Sequence, residues 1–389
     1  MLAEVGFDGD DFLVSSLGIS GHSGVLVLDA DLSVKGRLAS SPDALSTGLD
    51  FDPQGRLVAR MRPFSPRNAM AAVFEPSGRM APQFPDYIIN RNGTLDLKVT
   101  PNNTYLAAAQ DEFFGEDNGL LEFDRQGNLL RALDVGPDYE SVAVLGDGTI
   151  WAGGGSFTGF LNAFDPVTGA KTELFESPWS VLPPPPFDGG QTAVSSMTYD
   201  ATTDSVLLAD RLTLQVFERA TDGTLLNTFT LPGVVPDPSG PLLSATRGPG
   251  GEVYAASGST IYRFEEDGSF LDETVLDVNL SAANLVWAGN ASPFVALPGD
   301  YNGDGQVDAA DYTVWADHFG SMTNLAADGN GDGVVDAADY TVWADHFGTT
   351  AGINPSSVVP EPGIAVLIGP SLFWVLRRRP ERNSMMAMH

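Results

Sequence analysis

The chain has no cysteine, which excludes disulfide bonds, and only 20 lysines and arginines against 51 aspartates and glutamates in 389 residues. The resulting formal charge of −31 argues against nucleic acid and against an anionic membrane surface as partners, since both are bound through a basic footprint. Histidine is scarce too: there are four, and His22 is the only one before His318. A mechanism built on a histidine pair within the first three quarters of the chain has little to draw on. Neither a Gly-x-Ser-x-Gly elbow nor a His-Glu-x-x-His element occurs, which removes two common hydrolase signatures. The opening residues MLAEVGFDGDDFLVSSLG hold no positive n-region and no clear apolar core, and the first basic residue is Lys35, so no export signal is legible there.

What the chain does have is hydrophobic content, 43%, enough for a buried core and two or three domains. From Gly24 to Leu297 it reads as short alternating strands separated by Gly, Pro and Asp-Gly turns, with few helical stretches. The segments VLVLDADLSVKGRL, AVFEPSGRMAPQF, LLEFDRQGNLLRAL, LNAFDPVTGAKTEL, LQVFERATDGTLLNTF and IYRFEEDGSFLDETV share one design: strand, acidic turn, strand. Their turns begin near Asp29, Glu75, Asp124, Asp165, Glu218 and Glu265, in steps of 46, 49, 41, 53 and 47 residues. A second hairpin lies between them, in LDFDPQGRLVARM, LKVTPNNTYLAAAQ, VAVLGDGTIWAGG, MTYDATTDSVLLAD, ATRGPGGEVYAAS and NLVWAGNASPFVAL. Two hairpins per period make a four-stranded unit, the blade of a β-propeller. The expectation is a mainly β chain with a six-bladed propeller over residues 1–297, two β-sandwiches being the alternative. Loops at Pro183–Pro186 and Pro232–Pro241 would lie on a propeller face.

This pattern resembles the six-bladed NHL-repeat and gluconolactonase-like group. The resemblance is one of pattern and implies fold. Relatives in that group hold a divalent metal in the central channel through Glu, Asn and Asp, for which Asp111, Glu112, Glu140 and Asp210 are candidates here. Single acidic residues at strand ends are more often turn formers or solvated charges.

From Asp300 to Gly348 a twelve-residue acidic loop and the segment YTVWADHFG are written twice, 28 residues apart. A hard cation such as calcium takes six to eight oxygens, which one loop can supply from positions 1, 3, 5, 7, 9 and 12. The first loop offers Asp300, Asn302, Asp304, the Gln306 carbonyl, Asp308 and Asp311; the second offers Asp328, Asn330, Asp332, the Val334 carbonyl, Asp336 and Asp339. Gly305 and Gly333 fill the sharp sixth position and Val307 and Val335 the apolar eighth. Two Ca2+ ions are expected, with magnesium or a plain acidic turn as the alternatives. After each loop Tyr312, Trp315 and Phe319, and again Tyr340, Trp343 and Phe347, fall on one helical face. That face reads as packing between the two halves, a carbohydrate-binding surface being the alternative. Gly320 and Gly348 suit helix C-termini, and His318 and His346 lie off the stripe, expected in solvent.

These residues resemble a type I dockerin, the paired calcium module that docks cellulosomal proteins onto cohesins. Asp replaces Glu at position 12, and a helix follows each loop. The resemblance implies a cohesin-like or other docking protein as partner. It places the contacts at loop positions 10, 11, 17 and 18: Ala309, Ala310, Ala316 and Asp317, then Ala337, Ala338, Ala344 and Asp345. Neither copy carries the hydroxyl pair or the basic pair common in cellulosomal proteins. Identical faces would let a partner bind in two orientations.

The residues 349–359 form a linker, followed by Pro360, Glu361 and Pro362, an apolar run from Gly363 to Leu376, and Arg377, Arg378 and Arg379. That order resembles the bacterial PEP-CTERM sorting signal over 360–382, with 383–389 as a tail. The resemblance implies export, a transmembrane sorting helix held transiently in the inner membrane, and processing by an exosortase near Pro360–Pro362. The arginines would stay cytoplasmic. The apolar run is 14 residues long and interrupted by Pro370, short for a span; a helix packed on the protein is the alternative. An upstream start codon would supply the export signal and the rest of the first blade. The reading is an exported, surface-associated protein with a non-catalytic binding or assembly role. A polysaccharide-active hydrolase or lyase, or a gluconolactonase-like metal hydrolase, is the rival.

Overall fold

Strand-forming runs punctuated by acid-to-glycine turns build six antiparallel sheets of four strands each. In the computed structural model these are β1 (Phe12–Ser16), β2 (Gly24–Leu28) and β3 (Val34–Arg37); β4 (Ala44–Phe51), β5 (Leu57–Pro63), β6 (Ala69–Phe74) and β7 (Ile88–Ile89); and β8 (Thr94–Val99), β9 (Tyr105–Ala109), β10 (Gly119–Phe123) and β11 (Leu129–Val135). They continue with β12 (Tyr139–Val144), β13 (Ile150–Gly154), β14 (Phe160–Phe164) and β15 (Lys171–Glu176); and β16 (Val194–Asp200), β17 (Ser205–Asp210), β18 (Gln215–Ala220) and β19 (Leu225–Thr230). The last are β20 (Leu243–Arg247), β21 (Val253–Ser257), β22 (Thr260–Phe264), β23 (Phe270–Val275) and β24 (Ala282–Trp287), before helices α1 (Ala309–His318) and α2 (Ala337–His346). The structure describes residues 2–349 except 17–23, 39–43, 64–68, 81–87, 90–93, 103, 110–118, 125–126, 136, 138, 155–159, 177–193, 211–212, 234–242, 278–281, 291–297, 302–305, 322–326, 328 and 330–333. The chain divides into a unit of Met1–Ser357 and a unit of Val358–His389, the second lying wholly outside the described residues.

The turns show why the period was readable. Asp52 opens one by accepting N–H bonds from Gln54 (3.1 Å) and Arg56 (2.9 Å) on one carboxylate oxygen. The backbone closes with Gly55 N–H on the Asp52 carbonyl at 2.9 Å, and Gly55 takes φ +74°, which only glycine adopts without strain. The same backbone pair recurs at Glu75, Asp124, Leu145, Ala220, Gly248 and Glu265. One turn differs from expectation: it opens at Ala220, because Glu218 is a buried member of β18.

Strands β4, β8, β12, β16, β20 and β24 pack on one another in succession, and β24 returns to β4, closing a ring of six innermost strands. Each junction between blades is filled by its own apolar cluster. Leu49, Phe51 and Phe74 meet Leu13 and Val27 at one junction; Phe229 and Phe264 meet at another. The first sheet runs β24-β1-β2-β3, with Phe12 opposite Trp287 and Leu13 opposite Val286. The last inner pair, read as one hairpin in NLVWAGNASPFVAL, is thus divided between distant parts of the chain. The first blade counts four strands, β24, β1, β2 and β3.

Polar side chains stitch the inner strands. Lys98 Nζ donates to the Leu49 carbonyl at 3.0 Å, and Val99 N–H to Asp50 Oδ2 at 2.7 Å. Asp96 Oδ2 accepts from Ser141 Oγ and from Val142 N–H, both at 3.1 Å, and so binds the next blade. Between the fifth and sixth blades, buried Arg247 lies 2.6 Å from Asp200 and also pairs with Glu218. Arg247→Ala would strand two buried carboxylates, and a loss of roughly 3–5 kcal/mol is expected in a urea unfolding curve. Burial pushes the Asp50 carboxyl up to about 6 from its ordinary 3.8, against the opposing pull of Lys98. A raised carboxyl favours the fold at low pH and loses that contribution as pH climbs from the ordinary value through the raised one. Asp50→Asn should therefore gain on the parent chain across that window, read as unfolding midpoints at pH 4, 5, 6 and 7.

Among the described residues no helix is long and apolar enough to cross a membrane. Gly363–Leu376, Pro360–Pro362 and Arg377–Arg379 lie outside the described residues.

Candidate metal-binding and docking module

Each helix begins inside its own acidic loop. Asp308 caps α1 by accepting from Ala310 N–H at 2.7 Å, and Asp311, three residues into the cap, returns a carboxylate oxygen to the Asp308 N–H at 2.8 Å. Asp336 and Asp339 repeat the arrangement on α2, with Ala338 N–H and Asp336 N–H each at 2.7 Å. This reciprocal box satisfies otherwise orphaned donors at a helix start. The second oxygen of Asp311 accepts from Tyr301 N–H at 2.7 Å, and that of Asp339 from Gly329 N–H at 2.9 Å. Position 12 thereby pulls the beginning of each loop against its end. Both carboxylates are fully buried.

The apolar eighth residues tie the copies to one another. Val307 exchanges backbone bonds with Thr349 (2.9 Å) and Gly348 (2.8 Å), just beyond α2. Val335 does the same with Ser321 (2.9 Å) and Gly320 (2.7 Å), just beyond α1. Both valines are fully buried, and Gly320 and Gly348 take φ of +85° and +86°, the left-handed ending expected of a helix terminus. The aromatic stripe interdigitates: Tyr312 meets Tyr340 edge-on at 6.3 Å between centroids, Tyr312 meets Trp343 at 5.4 Å and Trp315 meets Tyr340 at 5.2 Å. Packing between the halves leaves Trp315 and Trp343 half-buried, while Tyr312, Tyr340, Phe319 and Phe347 stay exposed in part of their surface.

Of the twelve nominated oxygen donors, Asp300, Gln306, Asp308, Asp311, Val334, Asp336 and Asp339 are described; Asn302, Asp304, Asp328, Asn330 and Asp332 lie outside the described residues, as do Gly305 and Gly333. Asp300, Asp308 and Asp336 are half-buried and Gln306 is exposed. No cluster of three or more acidic, histidine or cysteine side chains poised for a metal occurs among the described residues. The donor chemistry suits a hard cation: every nominated donor is oxygen, and two of the carboxylates are wholly buried. From Pro298 to Thr349 there are ten aspartates, and the chain has no lysine or arginine between Arg263 and Arg377. Carboxylates gathered this way need positive charge from outside the module's own sequence. The eight nominated contact residues, Ala309, Ala310, Ala316, Asp317, Ala337, Ala338, Ala344 and Asp345, are all exposed. His318 and His346 differ from expectation. They are half-buried, with Nδ1 2.7 Å and 2.8 Å from the Val314 and Val342 carbonyls one helical turn back.

Residues 298–345 match the family model for the dockerin type I domain. The chain therefore carries a docking module on a propeller. The propeller is similar in fold to a chain of a nidogen–laminin complex, with 10% identity over 72% of this chain and 99% of that one and a TM-score of 0.54. A gluconolactonase from Xanthomonas campestris aligns at 13% identity over 72% of this chain and 90% of that one, with a TM-score of 0.46. A streptogramin B lyase aligns at 13% over 70% and 76%, with a TM-score of 0.40. At 10% identity, the first of these likenesses shows the fold alone. No curated protein matches the chain by sequence.

The propeller's nominated carboxylates do not come together among the described residues. Asp210 is buried at the end of β17 and accepts from the Thr213 hydroxyl and, at 3.3 Å, the Thr213 N–H, a turn-forming role. Glu140 is the extra residue of a bulge in β12, between Tyr139 opposite Gly154 and Ser141 opposite Gly153. Asp111, Glu112 and His22 lie outside the described residues, as do Pro183–Pro186 and most of Pro232–Pro241.

Sequence reading missed the donors Trp315, Trp343 and Tyr301. A hint was present, since the two loops differ at only two positions, Tyr301 against Gly329 and Gln306 against Val334. Val307→Ala empties a fully buried site and should cost the dockerin module about 2 kcal/mol. In scanning calorimetry its transition should move down while the propeller's stays.

Proposed function

We propose that this is an exported, surface-associated protein whose dockerin module folds around two calcium ions and docks the propeller to a partner, in a non-catalytic binding or assembly role. The observation that carries this reading is the pair of buried carboxylates, Asp311 and Asp339, closing acidic loops in a module without lysine or arginine. Asp300, Asn302, Asp304, Asp308, Asp311 and the Gln306 carbonyl would hold one ion. Asp328, Asn330, Asp332, Asp336, Asp339 and the Val334 carbonyl would hold the other. Calcium supplies the positive charge that lets such loops close. The chain's own contribution is the pair of capping boxes and backbone ties that set the loops, and the exposed helix faces that follow them.

The partner is a cohesin-like or other docking protein, met through Ala309, Ala310, Ala316 and Asp317 or through their counterparts Ala337, Ala338, Ala344 and Asp345. The Pro360–Pro362 segment and Arg377–Arg379 act as a sorting signal that an exosortase-type enzyme processes during transient residence in the inner membrane. The rival reading is a polysaccharide-active hydrolase or lyase, or a gluconolactonase-like metal hydrolase, with carbohydrate as the ligand of the propeller.

Calorimetry of the full chain in chelator-stripped buffer should show uptake of two calcium ions, together with a rise in the module's melting transition that the propeller does not share. An absence of heat with an unchanged transition would end the calcium reading. A screen for sugar release tests the role: turnover abolished by changing one channel carboxylate would replace binding with catalysis.

A further inference from the structure

The braces between the two copies of the module run crosswise, and they end on the residues that shape the calcium loops. Trp343, on α2, donates its indole N–H to the Asp308 carbonyl in the first loop at 2.7 Å. Trp315, on α1, donates to the Asp336 carbonyl in the second loop, also at 2.7 Å. Asp308 and Asp336 are the ninth residues of their loops. Each uses its side chain to cap its helix and its N–H to hold the twelfth-position carboxylate. An indole that fixes the carbonyl of the ninth residue therefore fixes the peptide from which two nominated donors are aimed. In neither case does that indole come from the copy it serves.

A third brace has no mirror image. The Tyr301 hydroxyl donates to the Asp339 carbonyl at 2.5 Å, reaching from the second position of the first loop to the twelfth of the second. Its counterpart is Gly329, which has no side chain to return the contact. A Cβ on Gly329 would collide with that same hydroxyl. Among the side-chain bonds of the described residues, the first loop is thus braced once from the other copy and the second twice.

We infer that Trp315 and Tyr301 are positioning residues for the second calcium loop and Trp343 for the first, so that each copy sets the other's affinity. This rests on the calcium reading above. A hydrogen bond of this kind contributes about 1 kcal/mol net, so its loss should weaken calcium uptake about five-fold. Were the indoles only packing, their removal would act on their own copy or on both alike.

The test uses the full chain in two backgrounds, one loop being disabled in each. Asp328→Ala with Asp332→Ala leaves the first loop, and Asp300→Ala with Asp304→Ala leaves the second. Calcium titration by calorimetry should show Trp315→Phe weakening uptake about five-fold where only the second loop works, with no change where only the first does. Trp343→Phe should do the reverse. Tyr301→Phe removes one oxygen and no packing surface, so it carries the test if an indole variant fails to fold; it should weaken the second loop alone. Weakening that follows the variant's own copy, equal weakening of both loops, or no weakening would overturn the crosswise assignment. Failure of the unaltered chain to take up calcium would overturn the calcium reading itself, a different result from any of these.

Discussion

Closure of the ring depends on the pairing of β24 with β1. Every other junction between strands of a blade is local, made across a short turn or loop, but Phe12 and Trp287 are brought opposite each other from far apart in the sequence. Until that pairing forms, the apolar faces of the first and last blades, Phe12, Val14, Tyr254 and Ile261 among them, have no complete partner surface. Loop-closure entropy opposes a contact of such separation, and the local blades must supply enough burial to offset it. The dockerin match begins at residue 298, eleven residues beyond the end of β24 at Trp287.

Much of this was legible in the sequence because the turns carry their own chemistry. A two-residue-wide turn whose fourth residue is a glycine at positive φ, as at Asp52, Glu75, Asp124 and Glu265, recurs along the chain, and with the alternating strands on either side it made the blade period readable. The division of the first blade between distant segments was not legible, since alternation in NLVWAGNASPFVAL marks strand character without naming the strand's partner. Glu218 misled for a related reason. An acidic residue near a turn reads as the turn's opening, and only the fold reveals Arg247 arriving from the neighbouring blade to pair with it.

In the module the helical spacing of Tyr312, Trp315 and Phe319 marked the face on which the two copies meet, because periodicity reports which face is apolar, although Tyr312 and Phe319 keep exposed surface. It could not report where the indole N–H groups point. Those directions depend on how two repeats are set against each other, and the helical segments being identical, one copy's helix holds no sign of whether its tryptophan serves itself or its neighbour. The half-buried histidines have the same origin, their rings folding back onto carbonyls of the preceding turn.

The bonds of Val307 with Gly348 and Thr349 place the entry and the exit of the dockerin module side by side. Traction applied across the module would therefore load this short backbone clasp together with the Tyr301–Asp339 bond. Such a load would be shared between a buried valine's backbone and a single hydroxyl bond, both close to where the chain enters and leaves the module.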